Sequence, residues 1–96
     1  MKKYELVLDD KKEFLGITLY RIRALVAIGL TVSAGDLGGY IEKEENLSQV
    51  SDNAWVSGDA RVSGDAWVFD NARVLGNARV FGDARMSGDA WVFGDA

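Results

Sequence analysis

From residue 50 onward an aliphatic side chain returns every six residues, at Val50, Val56, Val62, Val68, Val74, Val80, Met86 and Val92. A second series, alanine alone, runs in step from Ala54 through Ala60, Ala66, Ala72, Ala78, Ala84 and Ala90 to Ala96. Asn or Asp stands before each alanine, and before most of those stands glycine, replaced by Asp52 and Asp70. A helix does not produce this beat. Six residues turn a helix through about 600°, so successive valines would spiral around its surface. An even period suits short strands. Three extended residues, such as Trp55-Val56-Ser57, precede a corner, Gly58-Asp59. The central Val points inward and its neighbours outward, because side chains alternate along a strand. Gly, Asn and Asp tolerate the positive φ of tight corners. Alanine is small enough to point inward where the walls converge. One such unit cannot bury its apolar side alone. Coils must therefore stack, each strand pairing in parallel with the one above at about 4.8 Å. Each buried Val then contributes on the order of 1.5–3 kcal/mol.

Composition narrows the chemistry. The 96 residues make one small domain, without cysteine, proline or histidine. No disulfide staples it, and the commonest proton shuttle and metal ligand near neutral pH is absent. Eleven basic residues face fifteen acidic ones, a formal charge of -4, which disfavours general binding to phosphate backbones. The most apolar stretch, Ala24 to Leu30, is too short for a membrane span and reads as a buried strand. A cytoplasmic protein is expected.

In the first half, Tyr4 to Leu8 alternates and reads as a strand, followed by a polar turn from Asp9 to Glu13. Ile17 to Leu25 reads as a second strand forming a hairpin with the first, and Val26 to Val32 as a third, interrupted by Gly29. Gly35 to Gly39 reads as a bend and Glu42 to Asn46 as a polar loop. Residues 1–47 are expected to cap the coils with a hairpin and an irregular first turn, and 48–96 to form the repeat. The repeat is still regular at Ala96. Either another copy covers that end, or the chain is shortened.

The pattern from Val50 to Ala96 resembles the hexapeptide repeat of left-handed β-helices, known from bacterial acyltransferases. The resemblance implies an all-β fold, a left-handed parallel β-helix with three hexapeptides per eighteen-residue coil. General rules for parallel crossovers favour the opposite hand. Upstream, Arg21-Ile22-Arg23-Ala24, Gly35-Asp36-Leu37-Gly38-Gly39-Tyr40-Ile41-Glu42 and Asn46-Leu47-Ser48 are similar to the leader of small hexapeptide-repeat proteins from phages and bacteria.

With eighteen residues per coil, outward positions fall into columns. One face carries Trp55, Arg73 and Trp91 beside Ser57, Leu75 and Phe93. A second carries Gln49, Trp67 and Arg85 beside Ser51, Phe69 and Ser87, and a third Arg61 and Arg79 beside Ser63 and Phe81. Trp and Arg one coil apart suit guanidinium–indole packing. The candidate interface residues are Trp55, Arg73, Leu75, Trp91, Phe93, Trp67, Phe69 and Arg85, since clustered outward aromatic groups and Arg mark contact sites. The competing arrangement folds the N-terminal strands back over the Trp55 face. The corner Asp and Asn residues are read as structural, and no metal or cofactor is expected.

The acyltransferases use a histidine base between coils of a trimer, and this chain has none, so no catalytic residue is assigned and no enzyme is expected. The expected function is a non-catalytic structural or protein-interaction module that forms a homo-oligomer, through a flat face or the open end, or binds a host protein. The alternatives are a phage-encoded inhibitor of a host defence protein, nucleic-acid contact through the Arg/Trp surface, and a degenerate acyltransferase-like protein.

Overall fold

A computed structural model describes residues 2–14, 16–29, 32–49 and 53–93. Seven two-residue strands mark the repeat: β4 (Trp55–Val56), β5 (Arg61–Val62), β6 (Trp67–Val68), β7 (Arg73–Val74), β8 (Arg79–Val80), β9 (Arg85–Met86) and β10 (Trp91–Val92). They pair in parallel at an offset of eighteen residues. Trp55 lies beside Arg73 and Arg73 beside Trp91; Arg61 lies beside Arg79, and Trp67 beside Arg85. The chain thus visits three ladders in turn, β4–β7–β10, β5–β8 and β6–β9.

The inward series holds through Ala78 and Met86, while Ala84 and Ala90, expected inside, are exposed. Val56, Val62, Val68 and Val74 are fully buried, as are Ala54, Ala60, Ala66, Ala72 and Ala78. Val80 and Met86 are buried and Val92 half-buried, so burial declines along the last described coil. Val50 and Ala96, which extend the two series, lie outside the described residues. At a typical corner Ala60 N donates to Ser57 O at 3.2 Å, and Gly58 takes φ +64°. A positive φ at the first central position alone is the pattern of a type II′ turn. Asp70 occupies the same slot at φ +60°, which its short polar side chain tolerates.

The N-terminal half is built into the same sheet. β1 (Tyr4–Phe14) and β2 (Ile17–Ala24) form an antiparallel hairpin; β3 (Leu37–Ile41) pairs antiparallel with β2 and parallel with β5. The order β1-β2-β3-β5-β8 makes one five-stranded sheet. Three expectations need correction here. Asp9 to Glu13 is strand, because a bulge between Val7 and Lys11 absorbs the extra residues. Gly35 to Gly39 is not all bend. Gly38 and Gly39 lie in β3, where their backbones press on the coil below. A Cβ on Gly38 would sit 2.5 Å from Val56 O, and one on Gly39 2.6 Å from Ala60 O. Around Gly29 there is no third strand among the described residues, only a bridge between Ile28 and Val32.

The first turn runs at a different offset. Tyr40 lies beside Arg61 and Leu47 beside Val68, both twenty-one residues apart. Leu47 therefore covers Val68. A 3-10 turn at Glu44–Asn46, where a loop was expected, brings Asn46 inside. Its side chain is fully buried and fully used. Oδ1 accepts from Glu42 N (3.1 Å) and Lys43 N (2.9 Å), and Nδ2 donates to Gly64 O (3.1 Å) and Ala66 O (2.8 Å). Gly64 N donates to Glu42 Oε1 at 2.7 Å, a second tie between the two turns. Gln49 leaves its expected column. Its Oε1 accepts from Lys3 N and Tyr4 N, fastening the start of β1.

Candidate interaction surfaces

The three outward ladders meet different surroundings. On the β4–β7–β10 ladder, Trp55 is only 2% exposed. Tyr4 meets its ring edge-on, centroids 6.4 Å apart, and the β3 backbone at Gly38 lies against it. Tyr4 is held in turn by its hydroxyl, 2.8 Å from Glu44 O and 2.7 Å from Leu47 O; its single proton serves one carbonyl or the other. Burial, then the charges of Glu44 and Glu45, push the Tyr4 pKa well above its ordinary value. The Lys3 ammonium donates to Ala54 O at 2.8 Å. Trp55 is therefore withdrawn from the open face by the N-terminal segment, the arrangement that competed with an exposed face. The apolar indole is covered because β1 and β3 cross it.

Further along this ladder the surface opens. The Arg73 guanidinium lies 5.9 Å from the Trp91 ring centroid, the expected cation–π contact. Arg73 and Leu75 are half-buried, while Trp91 and Phe93 are 58% and 66% exposed. On the β6–β9 ladder Trp67 stacks on Phe69, centroids 4.0 Å apart at 28°, beside an exposed Arg85. The eight candidates thus divide into a buried Trp55, an open group of Arg73, Leu75, Trp91 and Phe93, and a separate group of Trp67, Phe69 and Arg85.

The third ladder, expected to carry Arg61 and Arg79 beside Ser63 and Phe81, also receives the hairpin. Register places Arg21, Tyr40, Arg61 and Arg79 side by side on one surface. Tyr40 is nevertheless buried. The Arg21 guanidinium carbon lies 4.6 Å and the Lys12 ammonium 4.7 Å from its ring centroid. Arg21 donates to Tyr40 Oη (2.7 Å) and Gly38 O (2.9 Å), and its Nε lies 2.9 Å from Asp10 Oδ2. That last approach is an ion pair too bent for a hydrogen bond. Burial works against the Arg21 charge, but the Tyr40 hydroxyl and Asp10 outweigh it and raise the pKa. The hairpin therefore overhangs this face. The twenty-one-residue offset hid Tyr40 from an eighteen-residue count.

Corner side chains form local ties. Asn71 Nδ2 donates to Asp89 Oδ1 at 3.3 Å, and Lys43 Nζ donates to Asp65 Oδ1 at 3.1 Å. Among the described residues, no three His, Cys, Asp or Glu side chains converge as a metal site.

Residues 48–64, 54–68 and 72–88 match the family model of the YdcK beta solenoid repeat. Over these stretches the repeat is that of a β-solenoid. The matched stretches cover β4 to β9 and stop short of β10, which holds Trp91. No curated protein matches the chain. The solenoid assignment agrees with the parallel ladders, and no helix among the described residues is long and apolar enough to cross a membrane.

Proposed function

We propose that this β-solenoid is a non-catalytic interaction module, wound left-handed, that self-associates through the open part of the β4–β7–β10 ladder. The observation that carries the reading is the exposure of Trp91 and Phe93 beside Leu75 and Arg73. With Trp91 and Phe93 58% and 66% exposed, two rings from each of two copies supply on the order of 400–600 Å². That area falls in the weak, transient class of interfaces, so a reversible, concentration-dependent association is expected. The six-residue beat and its resemblance to left-handed hexapeptide repeats support the hand.

Sedimentation velocity over a concentration series tests the reading. The average mass of the wild-type protein should climb with concentration, while Trp91→Glu should stay at the mass of one chain with an unchanged circular dichroism spectrum. A wild-type mass that never leaves that of a single chain refutes self-association. The stacked Trp67–Phe69 pair on a different ladder favours a second reading, docking of a protein partner there. A net charge of -4 weighs against nucleic acid on either surface.

A further inference from the structure

The overhung face holds two hollows with Arg61 and Arg79 as a shared wall. One, about 470 Å³, is lined by Lys12, Asp59, Arg61, Asn77 and Arg79. The other, about 400 Å³, adds Ile17, Leu19, Val80 and Phe81 to the same two arginines. Each falls within the size of small-molecule sites, about 300–1,000 Å³. The first hollow sets three cations against the single carboxylate of Asp59, in a chain whose formal charge is -4. A guanidinium has five N–H donors, so Arg61 and Arg79 can keep their protein contacts and still meet an anion. The second hollow is walled by aliphatic and aromatic carbon, with Phe81 standing 68% exposed at its rim.

Arg79 and Phe81 point outward, and the stacking of coils is secured by Val80 between them. We propose that this groove binds an amphiphilic anion, with a carboxylate or phosphate head against Lys12, Arg61 and Arg79 and an aliphatic tail along Ile17, Leu19, Val80 and Phe81. The guanidiniums bind the head by charge-assisted hydrogen bonds. The tail gains by leaving water, so affinity rises with its length until the hollow is full. The site lies on a different ladder from Trp91 and is independent of self-association.

Amide NMR of the isotope-labelled full chain tests this, titrating decanoate and decyl phosphate below their micelle-forming concentrations. Both should bind saturably, one per chain, shifting the amides of Arg61, Ser63, Arg79 and Phe81. A preference between the two identifies the head group. Decanol, which lacks the charge, and inorganic phosphate, which lacks the tail, should each bind at least about tenfold more weakly. Arg79→Gln and Phe81→Ser should each weaken decanoate about tenfold. Both positions are exposed, and an unchanged spectrum of the remaining amides verifies folding. Phe93→Ser, on another ladder, should bind like wild type. Failure of both amphiphiles to saturate, inorganic phosphate binding as tightly as decyl phosphate, or equal losses from Phe93→Ser and Phe81→Ser would each overturn the proposal.

Discussion

Asn46→Asp changes almost no volume and reverses the polarity of two buried contacts. In the native chain Nδ2 donates to Gly64 O and Ala66 O, joining the first turn to the second. A carboxylate oxygen there faces two carbonyl oxygens and donates to neither. Two hydrogen bonds at about 1 kcal/mol each are lost, and leaving buried acceptors without their donor adds about 1–3 kcal/mol. The bonds from Glu42 N and Lys43 N strengthen when their acceptor is charged, returning about 1 kcal/mol. The net cost is about 3 kcal/mol, a large share of the 5–15 kcal/mol typical of a small domain. For a chain this size it lowers Tm by about 12–24 °C. The loss should depend on pH. Burial beside carbonyl dipoles raises the folded-state pKa of the new carboxyl above its unfolded value of about 3.9. Below that value the protonated group donates one bond, so the deficit is smallest there and grows as pH rises through the folded pKa. Urea unfolding followed by tryptophan fluorescence, at pH 4 and pH 7, measures both effects. A deficit under about 1 kcal/mol at pH 7, or one that shrinks as pH rises, would refute the reasoning.

Tyr4→Phe removes the hydroxyl shared between Glu44 O and Leu47 O and should cost about 1–2 kcal/mol in the same urea assay. Because the Tyr4 pKa is raised in the folded chain, the unfolded chain ionises first. Wild-type stability should fall as pH climbs above about 10, less steeply in the variant, and chemical unfolding between pH 9 and 11 measures the slopes. Two glycines separate crowding from backbone strain. Gly38→Ala drives a Cβ to 2.5 Å from Val56 O and 2.7 Å from the Trp55 ring, and should cost more than about 2 kcal/mol. Gly82→Ala meets no atom within 4 Å and suffers only from φ +68°, costing about 1–2 kcal/mol. A larger loss at Gly82 than at Gly38, by thermal melting, would contradict the packing described for β3.

The six-residue beat was legible because each position in it has one job. Val fills the interior, Ala fits the converging corner, and Gly, or Asp70 in its place, supplies the positive φ. The N-terminal half has no such redundancy. Asp9 and Asp10 look like a turn in isolation, and only the pairing of Lys11 with Tyr20 shows them within a bulged strand. Gly38 and Gly39 signal a bend locally, yet they are glycine because Val56 and Ala60 press on them from another part of the chain. The surface was half legible. Arg73 over Trp91 follows from counting eighteen, whereas the burial of Trp55 depends on where β1 and Tyr4 travel. Alternation says which side of its own strand a residue occupies. It does not say what will later lie across that side.

β3 takes antiparallel partners along one border and parallel partners along the other. Its hairpin neighbours are close in sequence, so that border can be completed cheaply, whereas a lone rung would have to close a long loop for a single two-residue strand. The opposite border is then a prepared template. Each later rung adds to an edge already in place, as molecules add to a crystal step, and ordering acquires a direction. The hairpin and β3 thus give the β5–β8 ladder one completed border to build on.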